Sequence, residues 1–112
     1  MEEKRHEPRF RIKQLIAYGP TREEYVFAEG INLSHTGLSC RSAQLVDPMT
    51  NVFLMIKVPG AEGERQVRCE GYVSHSHMIE GQCVFGVRIT EVYEGDRPYL
   101  EAFIASLEAE EP

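Results

Sequence analysis

The chain of 112 residues contains nothing approaching the roughly 18 to 20 consecutive apolar residues that a membrane helix needs. A helical span is excluded on that ground, and no membrane insertion is expected. The first residues, MEEKRHEP, have no apolar core, so a secretory leader is not expected either. Cysteine is sparse and unpaired in pattern: Cys40, Cys69 and Cys83 form an odd, widely spaced set with no Cys-x-x-Cys pair. Without an export signal, this predicts reduced thiols and a cytoplasmic protein. Internal repeats, low-complexity segments and interdomain linkers are all missing. The length fits one domain, able to bury roughly two-thirds of the surface its unfolded chain exposes. At 42% hydrophobic and 27% charged residues, the composition is that of an ordinary soluble globular protein.

Positive charge is also scarce, and it is unevenly placed. The formal net charge is −6, yet residues 1–13 sum to +2 and the remainder to −8. An acidic body argues against binding a nucleic-acid polymer, because duplex binding rests on a broad basic face. It leaves room for a small anion held by one local basic element. That element is KRHEPRFRIK, residues 4–13, which holds five Lys and Arg residues.

What is present is a strand pattern. In 66–75 (QVRCEGYVSH), Val67, Cys69, Gly71 and Val73 alternate with Arg68, Glu70, Tyr72 and Ser74. In 82–89 (QCVFGVRI), Cys83, Phe85, Val87 and Ile89 share one face. Such alternation marks half-buried strands. The run 52–58 (VFLMIKV) is nearly all apolar and predicts a more deeply buried strand, stopped by Pro59-Gly60. Residues 10–18, 25–33 and the short 38–41 complete about six strands. A closed antiparallel barrel is the economical arrangement, since it removes exposed edges. Near the end the period changes. Leu100, Phe103, Ile104 and Leu107 follow the i, i+3, i+4, i+7 spacing of an amphipathic helix, with Asp96 as N-cap and Pro98 in the first turn. Residues 108–112 read as a frayed acidic tail.

Two motifs carry chemistry. Arg5 and Arg9 form R-x-x-x-R just ahead of the first strand, and Pro8 biases Glu7 away from helical geometry. On an extended backbone their Cα atoms lie at most about 14 Å apart. Two guanidinium groups can then approach one ligand from different sides, each suited to a phosphate or to the O6/N7 edge of guanine. The second motif is NLSHTG, Asn32 to Gly37. Asn32 and Ser34 both donate and accept hydrogen bonds, and two residues apart they point the same way on an extended strand. Gly37 permits positive φ or close approach by a ligand. Read alone, this is also an ordinary turn between strands.

Taken together, R-x-x-x-R followed by D/N-x-S-x-x-G, on a six-stranded chain with a terminal helix, resembles the PilZ domain family. GVRI (86–89) and DRPYLEAFI (96–104) add to the resemblance, which covers about residues 4 to 107. It implies an all-β fold with a C-terminal helix, a six-stranded antiparallel β-barrel of the PilZ-like, split-barrel kind. The expected layout is a single domain over 1–112, with a flexible ligand-binding arm at 1–9, the barrel at 10–90 and the helix at 96–108. The resemblance also implies a receptor for cyclic di-GMP, with two phosphates and two guanine faces for arginine to pair with and stack on. Arg5 and Arg9 would clamp the ligand, Asn32 and Ser34 would read a guanine edge, and Gly37 would keep the turn tight. Lys4, His6, Arg41 and Arg88 are further candidate contacts. The arm would order over the barrel on binding, and a downstream protein would recognise the new surface.

Other readings compete. The same fold could serve as a protein-interaction adaptor that does not bind nucleotide. A small enzyme is a third reading, but Ser34 and His35 are adjacent and point to opposite faces of a strand, with no third group to orient His35. His75 and His77 form H-x-H, yet no closed zinc spacing accompanies them, and Cys69 and Cys83 fall on core faces. No catalytic residue, metal ligand or cofactor beyond the messenger is expected.

Overall fold

The computed structural model describes residues 9–20 and 25–110, apart from the side chain of Leu15. Its strands are β1 (Phe10–Arg11), β2 (Leu15–Gly19), β3 (Val26–Leu33), β4 (Gly37–Ser42), β5 (Asn51–Gly60), β6 (Gly63–Ile79) and β7 (Gln82–Val92). A 3-10 turn (Glu94–Asp96) leads into helix α1 (Arg97–Glu110). All strand pairings are antiparallel, in the order β1-β3-β2-β5-β6-β7-β4 with β4 returning to β3. The return closes the sheet and leaves no free edge along the ring.

The barrel has six strand positions because β1 and β2 are two segments of one. Both pair with β3, and the interruption is bridged by Ile12 N donating to Ile31 O and Gly30 N donating to Gln14 O. The sequence reading of 10–18 as a single strand missed this break. The ladder shifts at the same level, with a bulge in β3 between Gly30 and Asn32.

Alternation fills the interior. Val67, Cys69, Gly71 and Val73 of β6 face inward, as do Cys83, Phe85 and Val87 of β7. The β5 run also alternates: Val52, Leu54, Ile56 and Val58 are buried, while Phe53, Met55 and Lys57 are half-buried on the outer face. The expectation of a more deeply buried strand holds: residues 52–58 have no exposed position, whereas the outer face of β6 includes exposed Gln66, Arg68 and Ser74. Tyr18 and Phe85 meet inside with ring centroids 5.1 Å apart, and the Tyr18 hydroxyl pairs with Ser42 Oγ at 2.8 Å.

Helix α1 packs on β5, β6 and β1 through buried Leu100, Phe103 and Ile104, with Leu107 at the margin. Burying each such side chain contributes about 1.5–3 kcal/mol. The helix runs to Glu110, so residues 108–110 are helical and not a frayed tail. Asp96 stands immediately ahead of the helix, at the position expected for the N-cap. It ends the 3-10 turn, and its buried carboxylate accepts hydrogen bonds from the backbone N and Nε of Arg68 at 3.0 and 2.9 Å. Among the described residues no helix is long and apolar enough to cross a membrane.

Candidate functional site

Strand register builds a shallow cavity on the outer face of β4, β7 and β6. Arg88 lies in the middle strand, opposite Gly37 on β4 and Tyr72 on β6. One step along, Gly86 lies opposite Ser39 on β4 and His75 on β6. The His75 ring lies over Gly86, where a Cβ would come within 2.3 Å of its Cε1, and Arg88 and Tyr72 stand beside it. Antiparallel pairing of Phe10 with Leu33 and Arg11 with Asn32 brings Arg9 across from Ser34 at one end. The result is a cavity of about 430 Å³ lined by Arg9, Ser34, Thr36, Gly37, Ser39, Tyr72, Ser74, His75 and Arg88, among others. Small-molecule sites typically fall at about 300–1,000 Å³. Among the described residues no carboxylate lines it, so in a chain of net charge −6 its described lining is a local field for an anion.

The motif loop folds on itself. Ser34 is 5% exposed. Its backbone N–H donates to Gly37 O at 2.8 Å, its hydroxyl donates to the same oxygen at 3.3 Å, and Thr36 N donates to Ser34 Oγ at 3.4 Å. Ser34 therefore shapes the turn as well as lining the cavity. The described glycines with positive φ are Gly63 and Gly81, not Gly37. Position 37 needs glycine for a different reason: a Cβ there would lie 2.6 Å from Val87 O on the neighbouring strand.

The structure brings Arg9, Ser34, Gly37 and Arg88 to one cavity. It does not bring Asn32 or Arg41 there. Both line a separate groove of about 990 Å³ beside α1, with Phe103 and Leu107. The Arg41 guanidinium is engaged by Glu29 Oε1 at 3.0 Å. The reasoning that Asn32 and Ser34 share a face fails locally. Strand β3 ends at Leu33, so Ser34 already belongs to the turn, and two-residue alternation no longer holds. Lys4, Arg5 and His6 lie outside the described residues.

Sequence reasoning missed Tyr72, Ser74 and His75 as cavity residues. Alternation did place Tyr72 and Ser74 on the outward face of their strand. What it lacked was the identity of the strands alongside. His75 arrives through the bulge between Val73 and His75. Its ring stacks with that of His77 at 6.1 Å between centroids. No group of three His, Cys, Asp or Glu able to hold a metal occurs among the described residues. The thiols of Cys40 and Cys69 are buried, and burial pushes both up to about 12, with the charge of Asp96 adding to the effect at Cys69.

The structure is thus a closed six-stranded barrel with a small cavity, lined by Arg9 and Arg88, beside its first strand. Residues 3–106 match the PilZ domain, and the chain belongs to that family. Solved structures share the fold. One is the Bacillus subtilis inhibitor of motility, MotI/DgrA, with a TM-score of 0.79 and 19% identity over 99% of this chain and 55% of that one. Another is MrkH of K. pneumonia in complex with c-di-GMP, with a TM-score of 0.67 and 14% identity over 97% and 53%. The chain thus spans about half the length of these solved proteins. No curated protein sequence matches it.

Proposed function

We propose that this chain is a cytoplasmic cyclic di-GMP sensor that holds the messenger in the cavity between Arg9 and Arg88 and signals to a downstream protein. The observation that carries this reading is the meeting of two separate motifs. Arg9 of R-x-x-x-R and Ser34 and Gly37 of N-x-S-x-x-G line the same cavity. Its cations answer the two phosphates of the messenger, and planar guanidinium groups both pair with phosphate and stack on purines. MrkH, which shares the fold, was solved with this nucleotide. Arg5, with Lys4 and His6 beside it, would close over the ligand from the arm. Asn32 would act from the adjoining rim, holding the strand on which the turn is built. The output is a changed surface, not a reaction.

Titration calorimetry with cyclic di-GMP on the wild type, Arg9→Ala and Ser34→Ala tests this. Wild type should bind. Arg9→Ala should weaken binding at least tenfold, because hydrogen bonds to charged groups contribute about 1.5–3 kcal/mol each. Absence of binding by the wild type at low salt would leave the adaptor reading, in which the same surface meets a protein without nucleotide.

A further inference from the structure

We infer that the end of the β6–β7 hairpin pairs, edge to edge, with the same segment of a second copy of this chain, about a two-fold axis at His77. Strand β6 outlasts the barrel. Its ladder with β5 stops where Tyr72 faces Asn51, and two bonds follow on that side, Val73 N donating to Thr50 O and Met49 N donating to Val73 O. There the chain ahead of β5 turns at Pro48–Met49, with Thr50 Oγ1 donating to Asp47 O. Strand β6 continues to Ile79, paired with β7. Among the described residues no strand lies along the other side of residues 75–79.

The hairpin turn settles which groups this edge offers. Glu80 and Gly81 both have positive φ, 52° and 83°, as a two-residue type I′ turn requires. Such a turn makes Ile79 and Gln82 a hydrogen-bonded pair. Alternation along the ladder gives His77 with Val84, and His75 with Gly86, the same character. Ser76 and Met78 therefore aim their N–H and C=O groups away from β7, as a template for another strand. Proteins usually blunt a free edge with lysine, proline or other charge. The stretch HSHMI, residues 75–79, has no Lys, Arg, Asp, Glu or Pro, and Met78 and Ile79 are 52% and 47% exposed. The edge also complements itself. With His77 on the axis, Ser76 of each copy faces Met78 of the other, so outward groups meet outward groups and four backbone hydrogen bonds form. His75 falls opposite Ile79, and Glu80 opposite Ser74. No like charges are opposed, which matters for two chains of net charge −6 each. The register shift between Val73 and His75 and the turn at Glu80 bound the duplex. A contact this short lies at the small end of specific interfaces, so the dimer is weak and reversible.

The test is sedimentation equilibrium of the full chain at about pH 8, where imidazole is uncharged, from micromolar to millimolar protein. Wild type should show a reversible rise in weight-average mass from one chain toward two. Ser76→Pro removes an N–H that β7 does not use, so it should keep a cooperative melting transition and stay monomeric. Met78→Lys, which puts a charge on the edge, should do the same. Cysteine variants read the register, since native Cys40, Cys69 and Cys83 are buried. The two copies of residue 77 form a non-hydrogen-bonded pair with Cα atoms about 4.5 Å apart, within disulfide reach. The two copies of residue 79 lie four positions out of register. Under mild oxidation His77→Cys should therefore form crosslinked dimer on the order of tenfold faster than Ile79→Cys. A wild-type mass that stays at one chain throughout, a dimer that persists in folded Met78→Lys, or equal crosslinking of the two cysteine variants overturns the proposal.

Discussion

Replacing Asp96 by asparagine probes what ties α1 to the barrel. Asp96 is 1% exposed. Its Oδ2 accepts from Arg68 N and Nε, and its Oδ1 lies 3.7 Å from Arg65 Nη2. The Arg65 guanidinium lies over the ring of Tyr99 at 3.9 Å from its centroid, and that of Arg68 over Tyr93 at 4.9 Å. One carboxylate therefore organises β6, the 3-10 turn and the first turn of the helix. Asparagine keeps the size and one acceptor oxygen but removes the charge. Hydrogen bonds to charged groups contribute about 1.5–3 kcal/mol. Both arginine side chains are about half exposed, so water screens their attraction and the loss should fall at about 1.5–2 kcal/mol. At roughly 3–6 °C per kcal/mol, between the values for smaller and for larger domains, the melting temperature should drop by about 5–12 °C. The effect has a pH signature. Burial alone would raise the carboxyl, but the hydrogen bonds from Arg68 and the charges of Arg68 and Arg65 outweigh it and hold Asp96 below its ordinary 3.8. With the folded value depressed, the unfolded chain takes up its proton first as pH falls. The contribution is complete above about pH 4 and is lost as pH drops through the folded value. Urea denaturation of both proteins at about pH 7 and about pH 3 should show the gap between them narrowing in acid. A difference under about 0.5 kcal/mol at neutral pH, or a gap indifferent to acid, would refute this reasoning.

Two further outcomes follow from packing. Gly37→Ala should destabilise the fold by about 1–3 kcal/mol, because the new methyl meets a backbone carbonyl 2.6 Å away that no rotamer change can move. An unchanged denaturation midpoint would contradict it. Cys40 and Cys69, whose thiols are pushed up to about 12 in the folded protein, should not react with a thiol reagent at about pH 8 until the chain unfolds. Rapid labelling of either in the native state would be inconsistent with their burial.

The inward and outward faces of β6 and β7 were legible because alternation is a local consequence of strand geometry. Helix α1 was legible for the same reason, from Leu100, Phe103, Ile104 and Leu107. Its start beside Asp96 was legible too, but not what that carboxylate binds. A short acidic residue ahead of a helix looks like a cap in sequence, and only the arrival of Arg68 from 28 positions away shows that the carboxylate is spoken for. The break between β1 and β2 was equally invisible. Between the pairs Arg11–Asn32 and Leu15–Glu29, residues 12–14 face only 30–31, a mismatch that appears only once the two strands are laid side by side.

The chain by itself determined which residues could bind an anion and in what order they occur: R-x-x-x-R first, N-x-S-x-x-G after it. It also determined the barrel's interior, since each inward side chain is fixed by its own strand's period. Only closure of the sheet decided that Arg9 stands opposite Ser34, that Asn32 turns to the helix groove instead, and that Tyr72, His75 and Arg88 share their cavity. Those placements depend on register between strands distant in sequence, and register is a relation between segments that no one segment encodes.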